Sequence, residues 1–92
     1  MTRYLAIDYG TKRIGLAIGD DVDKFASPIT TLAATGQSPD HAQTVWSAAQ
    51  EYAIDAFVVG LPLNMDDSEG KQAKLTRKFG SQLSSLSGKP VH

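Results

Sequence analysis

The sequence predicts an α/β domain built on a mixed sheet, and three observations carry that reading. Three apolar segments, Tyr4–Asp8, Arg13–Gly19 and Phe25–Ala34, follow one another across short polar turns, the pattern of an antiparallel meander. A helical repeat then leads into a brief apolar strand, Ala56–Gly60, the sign of a crossover to a position parallel to an earlier strand. After a second helical repeat, Lys89-Pro90-Val91-His92 opens as one more strand.

The first strand, Tyr4–Asp8, is apolar at nearly every position, which suits burial on both faces. In the second, Ile14, Leu16 and Ile18 share one face and Gly15, Ala17 and Gly19 the other. A face of such small residues admits another backbone or a ligand, and a packed helix is the simpler occupant. Asp20-Asp21-Val22-Asp23-Lys24 reads as a solvated hairpin connection rather than a cation site. In the third strand Pro28 removes a ladder donor and so predicts an edge position.

Ser38-Pro39 is a helix start, with Ser as N-cap and Pro at the first helical position. Ala42, Val45, Trp46, Ala49 and Ala53 repeat at helical spacing and predict the face that packs on the sheet, with Trp46 in the core. His41, in the first turn, is expected to be an exposed neutral side chain. The second helix is expected from about Ser68 to Ser87, with Leu75, Phe79, Leu83 and Leu86 as its apolar stripe and Gly88 and Pro90 ending it. Lys71, Lys74, Arg77 and Lys78 gather in its first half, off that stripe: either a solvated face or a set of phosphate contacts.

Composition narrows the function classes. At 92 residues the chain suits one small domain with a limited core. Its 41% hydrophobic and 21% charged residues are ordinary for a globular protein. A net charge of −1 gives no global nucleic-acid signature, so a polyanion site has to be a local patch. The absence of cysteine excludes disulfides, a thiolate nucleophile and cysteine-bound zinc. Met1-Thr2-Arg3-Tyr4 holds no signal-peptide core and no run reaches membrane-spanning length, so a cytoplasmic protein with no membrane partner is expected.

Two stretches carry chemistry. Asp8 ends the first strand, where an ionised acid needs water, a cation or hydrogen-bond donors. The turn after it supplies donors from the backbone at Gly10, the Thr11 hydroxyl, the Lys12 ammonium and the Arg13 guanidinium, a setting suited to a hard metal ion and a phosphate oxygen. A turn merely organised by Asp8 is the plainer alternative. The second stretch, Gly60–Gly70, leaves the carboxyl end of a parallel strand, where open α/β sheets bind ligands. Its Leu61, Leu63 and Met65 surround a rigid Pro62, either exposed or folded back on the core.

Ala6-Ile7-Asp8-Tyr9-Gly10-Thr11-Lys12-Arg13-Ile14-Gly15 and Val59-Gly60-Leu61-Pro62-Leu63-Asn64-Met65-Asp66 together resemble the YqgF family, also called RuvX, whose members are described as pre-16S ribosomal RNA nucleases and as Holliday junction resolvases. The resemblance implies a ribonuclease H-like mixed sheet in the order 3-2-1-4-5, with strand 2 antiparallel and flanking helices. Residues 1–92 would form its N-terminal part, incomplete at the C-terminus. It also implies a metal-dependent phosphodiesterase acting on pre-rRNA or branched DNA. Asp8 would be the catalytic carboxylate holding Mg²⁺ or Mn²⁺. Gly10, Thr11, Lys12, Arg13, Pro62, Leu63, Asn64, Lys71 and Lys74 would bind substrate. Family members carry further acidic residues beyond the strand opening at Lys89, so this stretch alone is expected to be inactive. Where the family commonly has Gly after Asn-Met-Asp, Asp67 stands here. A fifth strand reduced to a stub would leave Ala56–Gly60 uncovered and ready to pair with a second copy. Two other classes compete: a non-catalytic nucleic-acid binding module, and an actin-like nucleotide-binding half-domain, which needs a second phosphate loop absent from this chain.

Overall fold

The computed structural model describes residues 2–10, 12–22, 26–34, 38–60 and 70–92. Its elements are β1 (Arg3–Tyr9), β2 (Arg13–Asp20), β3 (Ala26–Ala33), α1 (Ser38–Ala49), β4 (Ala56–Val59) and α2 (Lys71–Ser87). They form a mixed sheet in the order β3-β2-β1-β4, antiparallel across the first three strands and parallel between β1 and β4. Pro28 sits on the edge strand as expected. The β2–β3 register slips there, with Leu16 opposite Thr30 and Ala17 opposite Pro28, a bulge that accommodates the missing donor.

The core lies on one side of this sheet. Leu5, Ile7 and Tyr9 of β1, Ile14 and Leu16 of β2 and Phe57 of β4 alternate onto a single face, against Ala42, Val45 and Ala49 of α1 and Phe79 and Leu83 of α2. The other face carries half-buried Ala6, Gly15 and Ala17, with Asp8 and Val58 exposed. This corrects two expectations. β1 is buried on one face only, because Ala6 is too small to need a cover and Asp8 requires solvent. The small-residue face of β2 is not under α1 or α2, since both helices are engaged on the opposite side.

The helix faces also differ from the sequence reading. Helix α2 buries Ala73, Thr76, Phe79, Gly80 and Leu83, leaving Leu75 38% and Leu86 43% exposed. Small side chains let the helix axis approach the sheet closely, and that outweighs the greater area of the two leucines. Thr76 tolerates burial because its hydroxyl donates to the Gln72 carbonyl at 2.8 Å. Helix α2 begins at Lys71 after an extended Gly70, and Gly88 ends it in the left-handed conformation. Helix α1 ends at Ala49, so Ala53 falls beyond it and is exposed. Trp46 is half-buried, edge-on to Phe57 at 6.2 Å. His41 is half-buried rather than exposed, because its Nδ1 shares a hydrogen bond with the Tyr9 hydroxyl.

The outer edge of β4 is occupied. Phe57 N–H donates to the Pro90 carbonyl, His92 N–H to the Phe57 carbonyl and Val59 N–H to the His92 carbonyl, each at 2.9 Å, with Val91 bridging Phe57 in parallel. The strand opening at Lys89 is therefore real and takes the fifth place in the order. The expectation of a bare Ala56–Gly60 edge is corrected, and with it the ground for pairing with a second copy there.

Candidate functional site

Strand alternation puts Asp8 on the face opposite the core, at the carboxyl end of β1. Its cross-strand partner is Gly15, and a Cβ placed there would lie 3.7 Å from the Asp8 Cβ. With no side chain opposite, the carboxylate opens onto a shallow trough of about 550 Å³. Ala6, Ala17, Val58 and Gly60 floor this trough, and Pro28, Thr30 and Thr31 form its β3 side. Such short side chains let a flat or extended ligand come down onto the strand backbones. Gly60 is fixed to β1 by its N–H donating to the Ile7 carbonyl at 3.3 Å. The loop bearing Pro62, Leu63 and Asn64 leaves from this residue, but those three, like Leu61, Met65 and Thr11, lie outside the described residues.

The β1–β2 turn is held by Gly10, whose N–H donates to the Arg13 carbonyl at 2.9 Å. A Cβ on residue 10 would sit 2.7 Å from that same oxygen, so the turn needs glycine. The Lys12 carbonyl accepts from Ala34 N–H at 2.9 Å, tying the turn to the end of β3. Lys12 and Arg13 are exposed, and Arg13 shares the face of Gly15 by strand alternation. Both cations thus stand at the Asp8 end of the sheet.

Helix α2 brings two more. Lys71 and Lys74 are exposed in its first turns. Between them Gln72 donates its Nε2–H to the Tyr9 carbonyl at 2.9 Å, docking this helix end against the tip of β1. Tyr9 is held further by its ring, stacked on Phe79 at 4.3 Å and 12°, and by the hydroxyl contact to His41. Gln72 and Tyr9 were not singled out in the sequence. The alternation of β1 marks Tyr9 as core-facing, but nothing local joins it to residues 32 and 63 positions away.

The acidic turn lies at the other end, where Arg3 pairs with Asp20. Asp20 Oδ1 accepts from Val22 N–H and Asp21 Oδ1 from Thr2 N–H, each at 2.9 Å, which fits a structural connection; Asp23 is outside the described residues. Among the described residues no three or more His, Cys, Asp or Glu side chains cluster to hold a metal, and Asp8 is the acidic member of the trough lining. A hard divalent cation binds through one or two carboxylates completed by water and phosphate oxygens. The described residues therefore offer such an ion one carboxylate ligand, while the exposed cations at this sheet end suit the phosphate that would complete its shell.

Residues 2–92 match the family model described as "RuvX: Holliday junction resolvase". A protein of Anaeromyxobacter dehalogenans (strain 2CP-C) named "Putative pre-16S rRNA nuclease" is 42% identical over 89 residues, covering 97% of this chain and 64% of the relative. Relatives of the same name from Chromohalobacter salexigens and Rhodopseudomonas palustris (strain BisB5) are 42% and 44% identical, each covering 95% of this chain and 58% and 54% of their own length. The chain thus spans between about half and two thirds of the curated relatives it matches. Among solved structures, Thermus thermophilus RuvC in complex with Holliday junction substrate superposes with a TM-score of 0.63 over 100% of this chain and 63% of that one, at 12% identity. That likeness shows a shared ribonuclease H-like fold.

Proposed function

The chain belongs to the RuvX family, and from that membership we propose that the gene product is a divalent-metal-dependent nuclease whose reacting phosphodiester lies at the Asp8 end of the sheet. The observation that carries the proposal is geometric. Among the described residues, one exposed carboxylate stands on the face that neither helix covers, at the same sheet end as Lys12, Arg13, Lys71 and Lys74.

In this reading Asp8 holds Mg²⁺ or Mn²⁺, which when bound supplies Lewis-acid polarisation and an activated water. The chain's own residues do the rest. Gly10 keeps the turn tight, so that Lys12 and Arg13 flank the carboxylate and receive backbone phosphates. Lys71 and Lys74 extend that grip from the helix side. Gly15 and Ala17 keep the trough shallow enough for a polynucleotide backbone to reach Asp8. Thr11, Pro62, Leu63 and Asn64 complete the contact surface. Residues 1–92 form the N-terminal part of one ribonuclease H-like domain. Further ligands for the ion come from outside the described residues.

The relatives' names favour precursor 16S rRNA as substrate; 5′-end maturation in the cytoplasm is the process this reading proposes for it. The family description favours a second reading, a DNase acting on four-way junctions. Incubating the full-length gene product with both substrates and Mn²⁺ separates them. The proposal expects rRNA cleavage to fall by about 100-fold or more in Asp8→Asn. Cleavage of the junction alone supports the second reading. Binding of either nucleic acid with no Asp8-dependent cleavage would establish a binding module instead.

A further inference from the structure

We infer that Thr31 is a specificity-determining residue, which reads a ribose 2′-hydroxyl of the strand bound at Asp8 and so gives the site a preference for RNA. The inference rests on the nuclease reading above, in its rRNA form, and gives a role to a residue that reading does not use.

The register of the sheet places Thr31 in one row with the carboxylate. Asp8 stands opposite Gly15 on β2, and Gly15 stands opposite Thr31 on β3. Directly paired residues share a face, so Thr31 belongs to the face of Asp8. It is exposed and lines the same trough. The slip in the β2–β3 register falls between Leu16 and Ala17, outside this row.

Distance decides what the Thr31 hydroxyl can reach. Strands β1 and β3 lie on either side of β2, about 9.5 Å apart. A divalent ion sits about 2.0–2.6 Å from each oxygen ligand, so an ion on Asp8 is out of reach of Thr31. Between the two side chains stands only a glycine, which leaves that interval open to substrate. Charge then sorts the parts of the substrate. Lys12 and Arg13 stand at the β1–β2 turn and receive phosphate. The β3 side of the trough is formed by Pro28, Thr30 and Thr31, none of them charged. A strand whose phosphate is held at Asp8 and Arg13 therefore lays a sugar, not a second phosphate, toward Thr31. A threonine hydroxyl both donates and accepts. So does the 2′-hydroxyl, the group by which a protein tells RNA from DNA at a given position. Because Thr31 is exposed, water takes the place of a lost contact. The discrimination is then that of one ordinary hydrogen bond, about 5-fold to 10-fold, far below that of a sealed pocket.

The test crosses a change in the protein with a change in the substrate. The full-length gene product, with Mn²⁺, is given precursor 16S rRNA fragments in which single nucleotides on either side of the cleaved bond are 2′-deoxy. At one such position kcat/KM of the wild type should fall about 5-fold to 10-fold. Thr31→Val keeps the branched shape on an edge strand and loses the hydroxyl. It should cut the all-ribose fragment as slowly as that deoxy fragment and no longer distinguish the two. Thr31→Ser should restore the preference, and it keeps the test decisive if the Val variant folds poorly. A structural role alone would slow both fragments equally. Equal wild-type rates on every deoxy fragment, or a wild-type ratio kept in Thr31→Val, overturn the inference and leave the nuclease reading standing where cleavage depends on Asp8. RNA cleavage that survives Asp8→Asn overturns that reading itself. Cleavage of four-way DNA junctions with none of RNA overturns its rRNA form and the inference together.

Discussion

Gly15 separates stability from activity, and the direction of each effect follows from the geometry. Its backbone lies outside the left-handed region, and among the described residues an added Cβ would meet the Asp8 Cβ alone, at an ordinary 3.7 Å. Gly15→Ala should therefore fit without strain while removing glycine's excess freedom in the unfolded chain. Such a change stabilises by about 0.4–1 kcal/mol. For a domain of this size each kcal/mol moves the melting temperature by about 4–8 °C, so a rise of about 2–8 °C is expected by circular dichroism. Gly15→Leu projects a branched chain into the trough beside the carboxylate, on a face that meets solvent. Its melting temperature should stay near that of the wild type, but a substrate backbone held even 1 Å away from Asp8 should be cleaved about 100-fold more slowly in single-turnover assays. A Gly15→Ala variant destabilised by 2 kcal/mol or more would mean that this face is packed, contrary to the structure. A Gly15→Leu variant cutting at the wild-type rate would mean that substrate does not approach Asp8 across the trough.

Three further perturbations test the parts that hold the site. Gly10→Ala drives a Cβ to 2.7 Å from the Arg13 carbonyl oxygen and should cost about 1–3 kcal/mol in urea denaturation. Phe79→Ala removes a fully buried ring stacked under Tyr9, and should cost about 3–5 kcal/mol, enough to unfold much of a marginal small domain at 37 °C. Lys71→Ala and Lys74→Ala should each reduce the slope of log affinity against log salt by about 0.7–0.9, equally for all nucleic-acid sequences, whereas Asp8→Asn in the absence of metal should not reduce it.

The order of elements was legible because each carries a local signature. Pro28 marks an edge, an apolar tetrad after a helix marks a parallel strand, and Lys89–His92 reads as a strand that does join β4. The exposure of Asp8 at the strand end was legible because an acid closing an apolar strand has to meet solvent or a cation. Which face of the sheet is covered was not legible. Tyr4–Asp8 reads as buried on both sides, since Tyr and Ala fit either a core or a rim. The buried stripe of α2 was read correctly at Phe79 and Leu83 and misread at Leu75 and Leu86, for a related reason. Counting large apolar side chains selects Leu75 and Leu86, while close packing on a sheet selects Ala73, Thr76 and Gly80. The bonds from Tyr9 to His41 and Gln72 span 32 and 63 residues, and no periodicity encodes them.

The central claim is that Asp8, and not the acidic turn, is where a divalent ion enters this fold. Titrating Mn²⁺ into isotopically labelled protein and following paramagnetic broadening of the amide resonances tests it directly. The account predicts that Ile7–Tyr9, Gly15 and Gly60 broaden first, that Asp21 and Val22 stay sharp, and that Asp8→Asn removes the effect. Broadening centred on Asp20 and Asp21, or broadening around Gly15 that persists in Asp8→Asn, would contradict it.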